Sequence, residues 1–212
     1  MVFKMVMIGY DLGLMNPPYS QRVNKATAGL SEIHFIKKLL DSLNKNAKAS
    51  IIIPQSTMVG KTVDDKKVKK DILKKHTLEG VISLNPETFY GVGTVTCIAV
   101  FTAHQPHSEN KICKFINFED DGYITKKHKG LMETHEAIKK RKYLLKCWNN
   151  EETNSSSKFI VKSKIKPEDE WLHSFYYYND EIPTEEEFKK TMADYLSFEF
   201  NMVLNNKEYL FE

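Results

Sequence analysis

The sequence predicts an α/β fold built on a partial, mostly parallel sheet with an antiparallel addition, followed by an α+β C-terminal extension. Apolar runs alternate with segments of helical periodicity, which predicts βαβ units. One apolar run, Ile51-Ile52-Ile53, is continuous, as is typical of a strand buried on both faces of a parallel sheet. The chain has 212 residues, and 41% of them are hydrophobic, which suffices for a buried core.

The first half of the chain contains the predicted sheet. Residues 5–15 are predicted as a strand and residues 20–30 as a polar loop. A helix then begins after Ser31, a predicted N-cap, because apolar residues recur at helical spacing through Leu43. Residues 49–54 form the next strand. We place the first domain at residues 1–118.

A second helix is predicted at about residues 64–76, with Val68, Ile72 and Leu73 facing the core and its lysines facing outward. A short strand at residues 80–84 follows. The last two strands of this half, at residues 94–102 and 112–118, are close enough in sequence to form the antiparallel addition.

The second half, residues 119–212, is predicted as a mixed extension. It opens with the turn sequence Asp120-Asp121-Gly122-Tyr123 and continues with a helix at residues 133–147. Residues 149–157 form a polar loop, and a short strand follows at residues 159–161. A final helix begins after Thr184, which forms a capping box with Glu187 and is expected to bury four side chains, those of Phe188, Met192, Tyr195 and Leu196.

Charge and cysteine usage restrict the class of protein. The net charge is only +3, but lysines cluster at residues 66–75, 126–129 and 139–142, where they could contact phosphates or form a solvated face. No apolar stretch reaches the roughly 18 residues of a membrane span. Three widely spaced cysteines fit neither a disulfide framework nor a zinc site, and they favour a reducing cytoplasm. His104 and His107 lack further ligands at metal-binding spacing, so no metal site is expected.

The tetrapeptide Asn16-Pro17-Pro18-Tyr19 is the most informative motif, because it follows an apolar strand and is stiffened by two prolines. Such a turn can hold an exocyclic amino group between the Asn16 side-chain oxygen and the Pro17 carbonyl. The ring of Tyr19 offers a stacking face for an extruded base. Positioning of this kind favours methylation of an adenine amino group without a charged general base. The alternative interpretation is a strand-ending turn with a packed tyrosine.

Residues 10–21 resemble the catalytic motif of the N6-adenine DNA methyltransferases of restriction-modification systems, in particular the type I modification subunits and their single-chain relatives. The resemblance continues through residues 32–43, 51–56, 76–82 and 89–100, and it extends to Glu170-Trp171-Leu172 and the last helix. It implies a Rossmann-like methyltransferase sheet, S-adenosylmethionine as cofactor and DNA as partner.

The resemblance also implies roles for individual residues. Asn16, Pro17, Pro18 and Tyr19 would hold the target adenine. Phe89 would lie against the flipped base, although a core position is an equally good interpretation, and Asn85-Pro86 departs from the family pattern nearby. Ser20 and Gln21 would open a loop near the DNA that extends to Gly29.

The family's glycine-rich methyl-donor motif is expected well upstream of the tetrapeptide, whereas only fifteen residues precede Asn16 here. This predicts the C-terminal half of a methyltransferase that is inactive alone, with a partner such as a separate N-terminal half or a specificity subunit. An exposed sheet edge would then promote self-association. The competing hypotheses are a non-catalytic DNA-binding or assembly module and a protein-glutamine methyltransferase, whose motif is similar.

Overall fold

The computed structural model describes residues 9–19, 29, 31–89, 93–126, 129–179, 184–205 and 207. The chain forms two compact units, residues 1–178 and residues 179–212. The larger unit contains eight described strands: β1 (Tyr10–Met15), β2 (Leu43–Pro54), β3 (Thr77–Leu84), β4 (Thr96–Thr102), β5 (Cys113–Phe118), β6 (Tyr123–Lys126), β7 (Gly130–Glu133) and β8 (Ile160–Ser163). Its described helices are α1 (Glu32–Ser42), α2 (Gln55–Val59), α3 (Val63–Lys75), α4 (Ala137–Trp148) and α5 (His173–Tyr176). The smaller unit contains α6 (Glu185–Leu204).

Six strands form one sheet in the order β1-β2-β4-β3-β5-β8. β1 pairs with β2 in parallel, and β3 pairs with β5 in parallel. β4 lies between β2 and β3 and is antiparallel to both, while β8 is antiparallel to β5. The α/β fold is confirmed. The antiparallel strand of the addition is β4, which is inserted inside the sheet, whereas β5 extends the parallel set.

The extension contributes to the same sheet and core as the first half. β8 adds the last strand of the sheet, and Trp171 is fully buried in the main hydrophobic core. That core lies between one sheet face and the helices α1 and α3, and it includes Ile36, Ile51 and Phe101. The domain boundary at residue 118 stays a prediction.

Helix α3 buries its predicted apolar face, but it also buries one lysine that was predicted to face solvent. Its start is fixed by a capping box, in which the Thr62 hydroxyl accepts from the Asp65 backbone N–H and the Asp65 carboxylate accepts from the Thr62 N–H. Val68, Ile72 and Leu73 are buried as predicted, but Lys69 is fully buried as well. The prediction that all these lysines face outward was therefore wrong for Lys69.

Lys69 can be buried because backbone carbonyls surround its ammonium group. Nζ donates to the carbonyl of Met58 at 2.9 Å and to that of Asp169 at 2.5 Å. It also lies 4.3 Å from the centre of the Trp171 ring. Burial lowers the pKa of Lys69 to about 8, against the opposing effect of nearby acidic groups. Lys69 thus connects α3 to the segment that contains Trp171.

Helix α6 forms where the sequence predicts it, and its capping box between Thr184 and Glu187 is present. None of its residues is buried, however. The four side chains that were expected to be buried are 45–60% exposed, so that prediction was wrong: Phe188, Met192, Tyr195 and Leu196. Local chemistry fixed the helix start, whereas burial of its apolar side chains requires a second surface.

The turn at Gly122 has a strict steric requirement, because Gly122 has a φ of +84° and a Cβ there would lie 2.6 Å from backbone atoms of Ala137. We therefore expect Gly122→Ala to lower the free energy of unfolding by at least about 2 kcal/mol, measured by urea denaturation. Gly29→Ala is the control, since a Cβ added at Gly29 would have no described atom within 4 Å. Equal stabilities of the two variants would contradict this account of the turn.

Glu79 makes an unusually dense set of contacts at the irregularity between β3 and β4. Its carboxylate accepts hydrogen bonds from Lys111 at 2.5 Å, from Lys48 at 3.0 Å and from the Thr102 hydroxyl. Burial alone would raise the pKa of Glu79, but these hydrogen bonds outweigh it and lower the pKa to about 2.

A carboxylate with a lowered folded-state pKa stabilises the fold above its unfolded pKa of about 4.3, and that stability is lost as the pH falls toward 2. We expect Glu79→Gln to remove on the order of 2 kcal/mol of this acid dependence. Urea denaturation between pH 7 and pH 2 measures it, with the exposed Glu168→Gln as control. An unchanged pH dependence in Glu79→Gln would contradict the assignment.

Candidate functional site

The turn after β1 lies at the carboxyl end of the parallel strands. Met15 pairs with Ile51 of β2, so Asn16 follows directly beyond the paired part of β1. Pro17 is buried, whereas Asn16 and Pro18 are exposed. The buried proline fixes the backbone of the turn, and the Asn16 amide is left accessible from solvent. Side chains at this edge of an open α/β sheet are placed where such folds bind ligands.

Tyr19 closes this turn through its hydroxyl group. The Tyr19 Oη–H donates to Asn16 Oδ1 at 2.8 Å, and Oη lies 3.5 Å from the carbonyl oxygen of Ile52. Burial raises the pKa of Tyr19, assisted by the neighbouring Cys97 and Glu32, so the hydroxyl stays protonated and remains a donor at neutral pH. The Asn16 oxygen is therefore held in one orientation by a group that a competing N–H donor can replace.

Phe89 lies against the same turn. Its ring meets the Tyr19 ring edge-on, with centroids 6.1 Å apart and planes at 88°. The structure thus brings Phe89, seventy residues later in the sequence, to the turn that contains Asn16 and Tyr19. Ser20 and Gln21 lie outside the described residues, as does most of the loop to Gly29.

The loop that presents Phe89 is ordered by Asn85, whose contacts the sequence analysis did not anticipate. Asn85 Nδ2 donates to Asp121 Oδ1 at 2.9 Å, and Asn85 Oδ1 accepts from the Glu87 N–H at 2.9 Å. Asp121 Oδ1 also accepts from the Tyr123 N–H, so the Asp-Asp-Gly-Tyr turn and the Phe89 loop share one carboxylate. Asn85 therefore has a structural role here.

A cavity of about 770 Å³ opens at the carboxyl end of β2, between α2 and the start of α1. Its lining includes Ser31, Glu32, Gln55 and Thr57. The buried Nε2 of Gln55 has no hydrogen-bond partner among the described residues, so it can donate to a ligand. Gln55 was not predicted as a site residue. Its position directly after a buried strand was the available signal.

A known protein family matches most of the chain. The model of the family "N-6 DNA Methylase" matches residues 11–187, a range that includes the tetrapeptide, Phe89 and Trp171. The type II restriction enzyme and methyltransferase RM.BcgI of Heyndrickxia coagulans is 52% identical over 209 residues. That alignment covers 98% of this chain and 33% of the relative, so the chain spans about a third of the length of the curated relative it matches.

Solved structures show the same fold at lower identity. A chain from a study of complex assembly and conformational transition of the type I R-M system aligns with a TM-score of 0.56 and 17% identity, over 95% of this chain and 46% of that chain. The type I restriction-modification system methyltransferase subunit from Streptococcus thermophilus aligns with a TM-score of 0.56 and 19% identity, over 77% of this chain and 36% of that chain. Because the family model matches residues 11–187, the chain belongs to the N-6 DNA methylase family.

Proposed function

We propose that this chain provides the adenine-holding part of an S-adenosylmethionine-dependent DNA adenine-N6 methyltransferase. The observation that supports this most directly is that the Asn16 amide oxygen accepts from Tyr19, whose ring in turn meets the Phe89 ring edge-on. A hydrogen-bond acceptor flanked by aromatic rings matches the needs of an extruded adenine, which has an amino donor and a flat π-face.

The proposed binding step is an exchange of hydrogen bonds at Asn16. The adenine amino group would donate to Asn16 Oδ1 in place of the Tyr19 hydroxyl, which lies there at 2.8 Å in the ligand-free turn. The second N–H would donate to the Pro17 carbonyl. Two acceptors draw the amino nitrogen away from conjugation with the ring and aim its lone pair. The Asn16 oxygen keeps one donor throughout, and the displaced Tyr19 hydroxyl can turn to the Ile52 carbonyl 3.5 Å away, so the exchange itself costs little free energy.

S-adenosylmethionine is the family's cofactor and supplies an electrophilic methyl group when bound. The described residues do not fit it on their own, because within the described ranges no strand runs through a glycine-rich turn into a helix. We therefore assign the donor site to a segment outside these ranges, in the same or another chain.

The outer edge of β1, the first strand of the described sheet, is the proposed docking place for that segment. In the sheet order β1 is an outer strand, and Leu12 and Leu14 are 61% and 73% exposed. Their register partners Lys48 and Ser50 place both leucines on one face of the sheet. An outer strand with exposed leucines is prone to pair with another chain or segment. The same surface supports the prediction of self-association.

A complementation assay tests the proposal. The chain is incubated with tritiated S-adenosylmethionine and unmethylated plasmid DNA, alone and together with the part of the RM.BcgI relative that lies outside the matched third. We expect methyl transfer to adenine only in the mixture. Loss of transfer in Leu12→Lys/Leu14→Lys, with transfer retained in the exposed-lysine control Lys67→Gln/Lys70→Gln, would support docking at β1.

Two outcomes would contradict the proposal. Methyl transfer by the chain alone would show that the donor site lies within it. DNA binding without methyl transfer in any mixture would favour the competing hypothesis, a non-catalytic assembly module. The exposed apolar side chains of α6 favour docking on another subunit as that second function, because a helix with exposed apolar residues can bind in a groove of a partner.

The α6 surface is tested separately. We expect Phe188→Lys/Leu196→Lys to abolish co-purification with a co-expressed specificity subunit, because both side chains lie on the apolar face. The control is Lys189→Gln/Lys190→Gln on the same helix. Equal co-purification of both variants would contradict docking through α6.

A further inference from the structure

A second cavity, which we call the lysine cavity, lies on the sheet away from the Asn16 turn. It has a volume of about 560 Å³ and is lined by four lysines, a carboxylate and an indole: Lys48, Lys111, Lys114, Lys162, Glu79 and Trp148. Its size is within the range of cavities that bind small molecules. Neither the predicted adenine site nor the family match assigns a role to it.

The lysine cavity lies at the opposite end of the strands from the adenine site. Lys48 pairs with Leu12 of β1, whereas the Asn16 turn begins beyond Met15, which pairs with Ile51. The two register positions, Lys48 and Ile51, are three residue steps apart on β2, and Tyr19 reaches one step further, to Ile52. The two sites are thus roughly 10–13 Å apart along the strands.

One carboxylate serves two of the four lysines. Glu79 Oε1 lies 3.0 Å from Lys48 Nζ, and Glu79 Oε2 lies 2.5 Å from Lys111 Nζ. The Glu79 side chain is 18% exposed and is fixed further by the Thr102 hydroxyl. This cluster orients Lys48 and Lys111 but neutralises only one of their two charges.

The other two lysines form a like-charged pair across strands. Lys114 of β5 is the direct register partner of Lys162 of β8, an arrangement that is unfavourable without a counter-charge. Lys114 Nζ donates to the uncharged carbonyl of Trp148 and lies 5.4 Å from the centre of its ring. No carboxylate of the described residues lies within ion-pair distance of either ammonium group. Desolvation, followed by repulsion from Lys162 and Lys111, lowers the pKa of Lys114.

We propose that the lysine cavity binds a phosphate group, with Lys114 and Lys162 as its main ligands and the Trp148 ring beside it. Ammonium groups bind phosphate as point charges, and one anion between the two side chains relieves their repulsion. The ring beside them suits a phosphate that belongs to a nucleotide or to a nucleic-acid backbone. The proposal is independent of the proposed methyl transfer.

Trp148 provides a local probe, because the chain has only two tryptophans and the other, Trp171, is fully buried. The intact chain is titrated with sodium tripolyphosphate and, separately, with a short DNA duplex, while tryptophan fluorescence is recorded. We expect a saturable change that is absent in Trp148→Phe. In Lys114→Gln/Lys162→Gln, we expect the midpoint to rise at least tenfold. The matched control is Lys67→Gln/Lys70→Gln, which removes the same charge from the exposed face of α3.

The charge-reversal variant Lys162→Glu makes the test sharper. It replaces a repulsive pair with an attractive one, so we expect a higher unfolding midpoint together with lost phosphate binding. A response to tripolyphosphate alone assigns the site to a small phosphate compound, and a response to DNA alone assigns it to a nucleic-acid backbone. No saturable response, or equal weakening in the α3 control, overturns the proposal.

Discussion

Replacing Asn16 with alanine is expected to reduce methyl transfer in the complementation mixture by about 100-fold or more. The Asn16 oxygen is the acceptor proposed for the adenine amino group, and removing one positioned hydrogen-bonding group from a catalytic site costs about 10²–10³ in rate. Asn16 is exposed and accepts a hydrogen bond from the nearby Tyr19 hydroxyl, so the fold should not depend on it. The expected loss is therefore in activity and not in stability.

Two variants of Tyr19 and one control separate the roles within this turn. Asn154→Ala, in an exposed loop, is the matched control and should retain full activity. Tyr19→Phe keeps the ring but removes the hydroxyl that donates to Asn16, so we expect base binding to be retained. Tyr19→Ala removes the stacking face and should lose about 1–3 kcal/mol of base binding. Full activity of Asn16→Ala, at unchanged unfolding midpoint, would contradict the assigned role.

Replacing Trp171 with alanine is expected to lower the free energy of unfolding by about 3–5 kcal/mol. Trp171 is fully buried, its Nε1–H donates to the Lys166 carbonyl at 2.9 Å, and its backbone N–H donates to Met58 at 3.1 Å. Its removal leaves a large cavity beside the buried ammonium of Lys69, which loses its aromatic contact. The new cavity and the lost contact of the Lys69 ammonium group both lower the free energy of unfolding.

Urea denaturation measures this change, and the control is Phe175→Ala in the same segment. Phe175 is 49% exposed, so we expect a loss under about 1 kcal/mol. Lys69→Met tests whether the lysine and Trp171 stabilise this segment together, because the substitution leaves the carbonyls of Met58 and Asp169 without their donor. If Trp171→Ala and Phe175→Ala lose the same stability, the segment around Trp171 does not belong to the core.

Local chemistry made several parts of the fold predictable. The Thr184 and Glu187 side chains fix the start of α6 by contacts within one turn, so the sequence alone located it. Ser31 is the N-cap of α1 as predicted, although its hydroxyl contacts His34 Nδ1 and caps no backbone N–H. The alternation of strands and helices predicted the fold class, because each element shows its own hydrophobic period.

The predictions that failed concern contacts between distant segments. The burial expected for α6 was inferred from residue spacing alone, but an apolar face is buried only against a second surface. None of the described residues of α6 is buried. Lys69 was predicted to face solvent because of its residue type. In the structure its ammonium group donates to three backbone carbonyls from other segments and lies over the Trp171 indole. β4 was expected in the addition, but its place between β2 and β3 depends on long-range pairing.

No helix among the described residues is both long and apolar enough to cross a membrane. The sequence by itself determined the family, the stiff Asn16-Pro17-Pro18 turn and the order of the elements, because these depend on residue type and short-range spacing. Only the tertiary structure brought Phe89 to Tyr19, ordered its loop through Asn85 and Asp121, and aligned Lys114 with Lys162. Those contacts depend on strand order and register, which join residues that no local pattern connects.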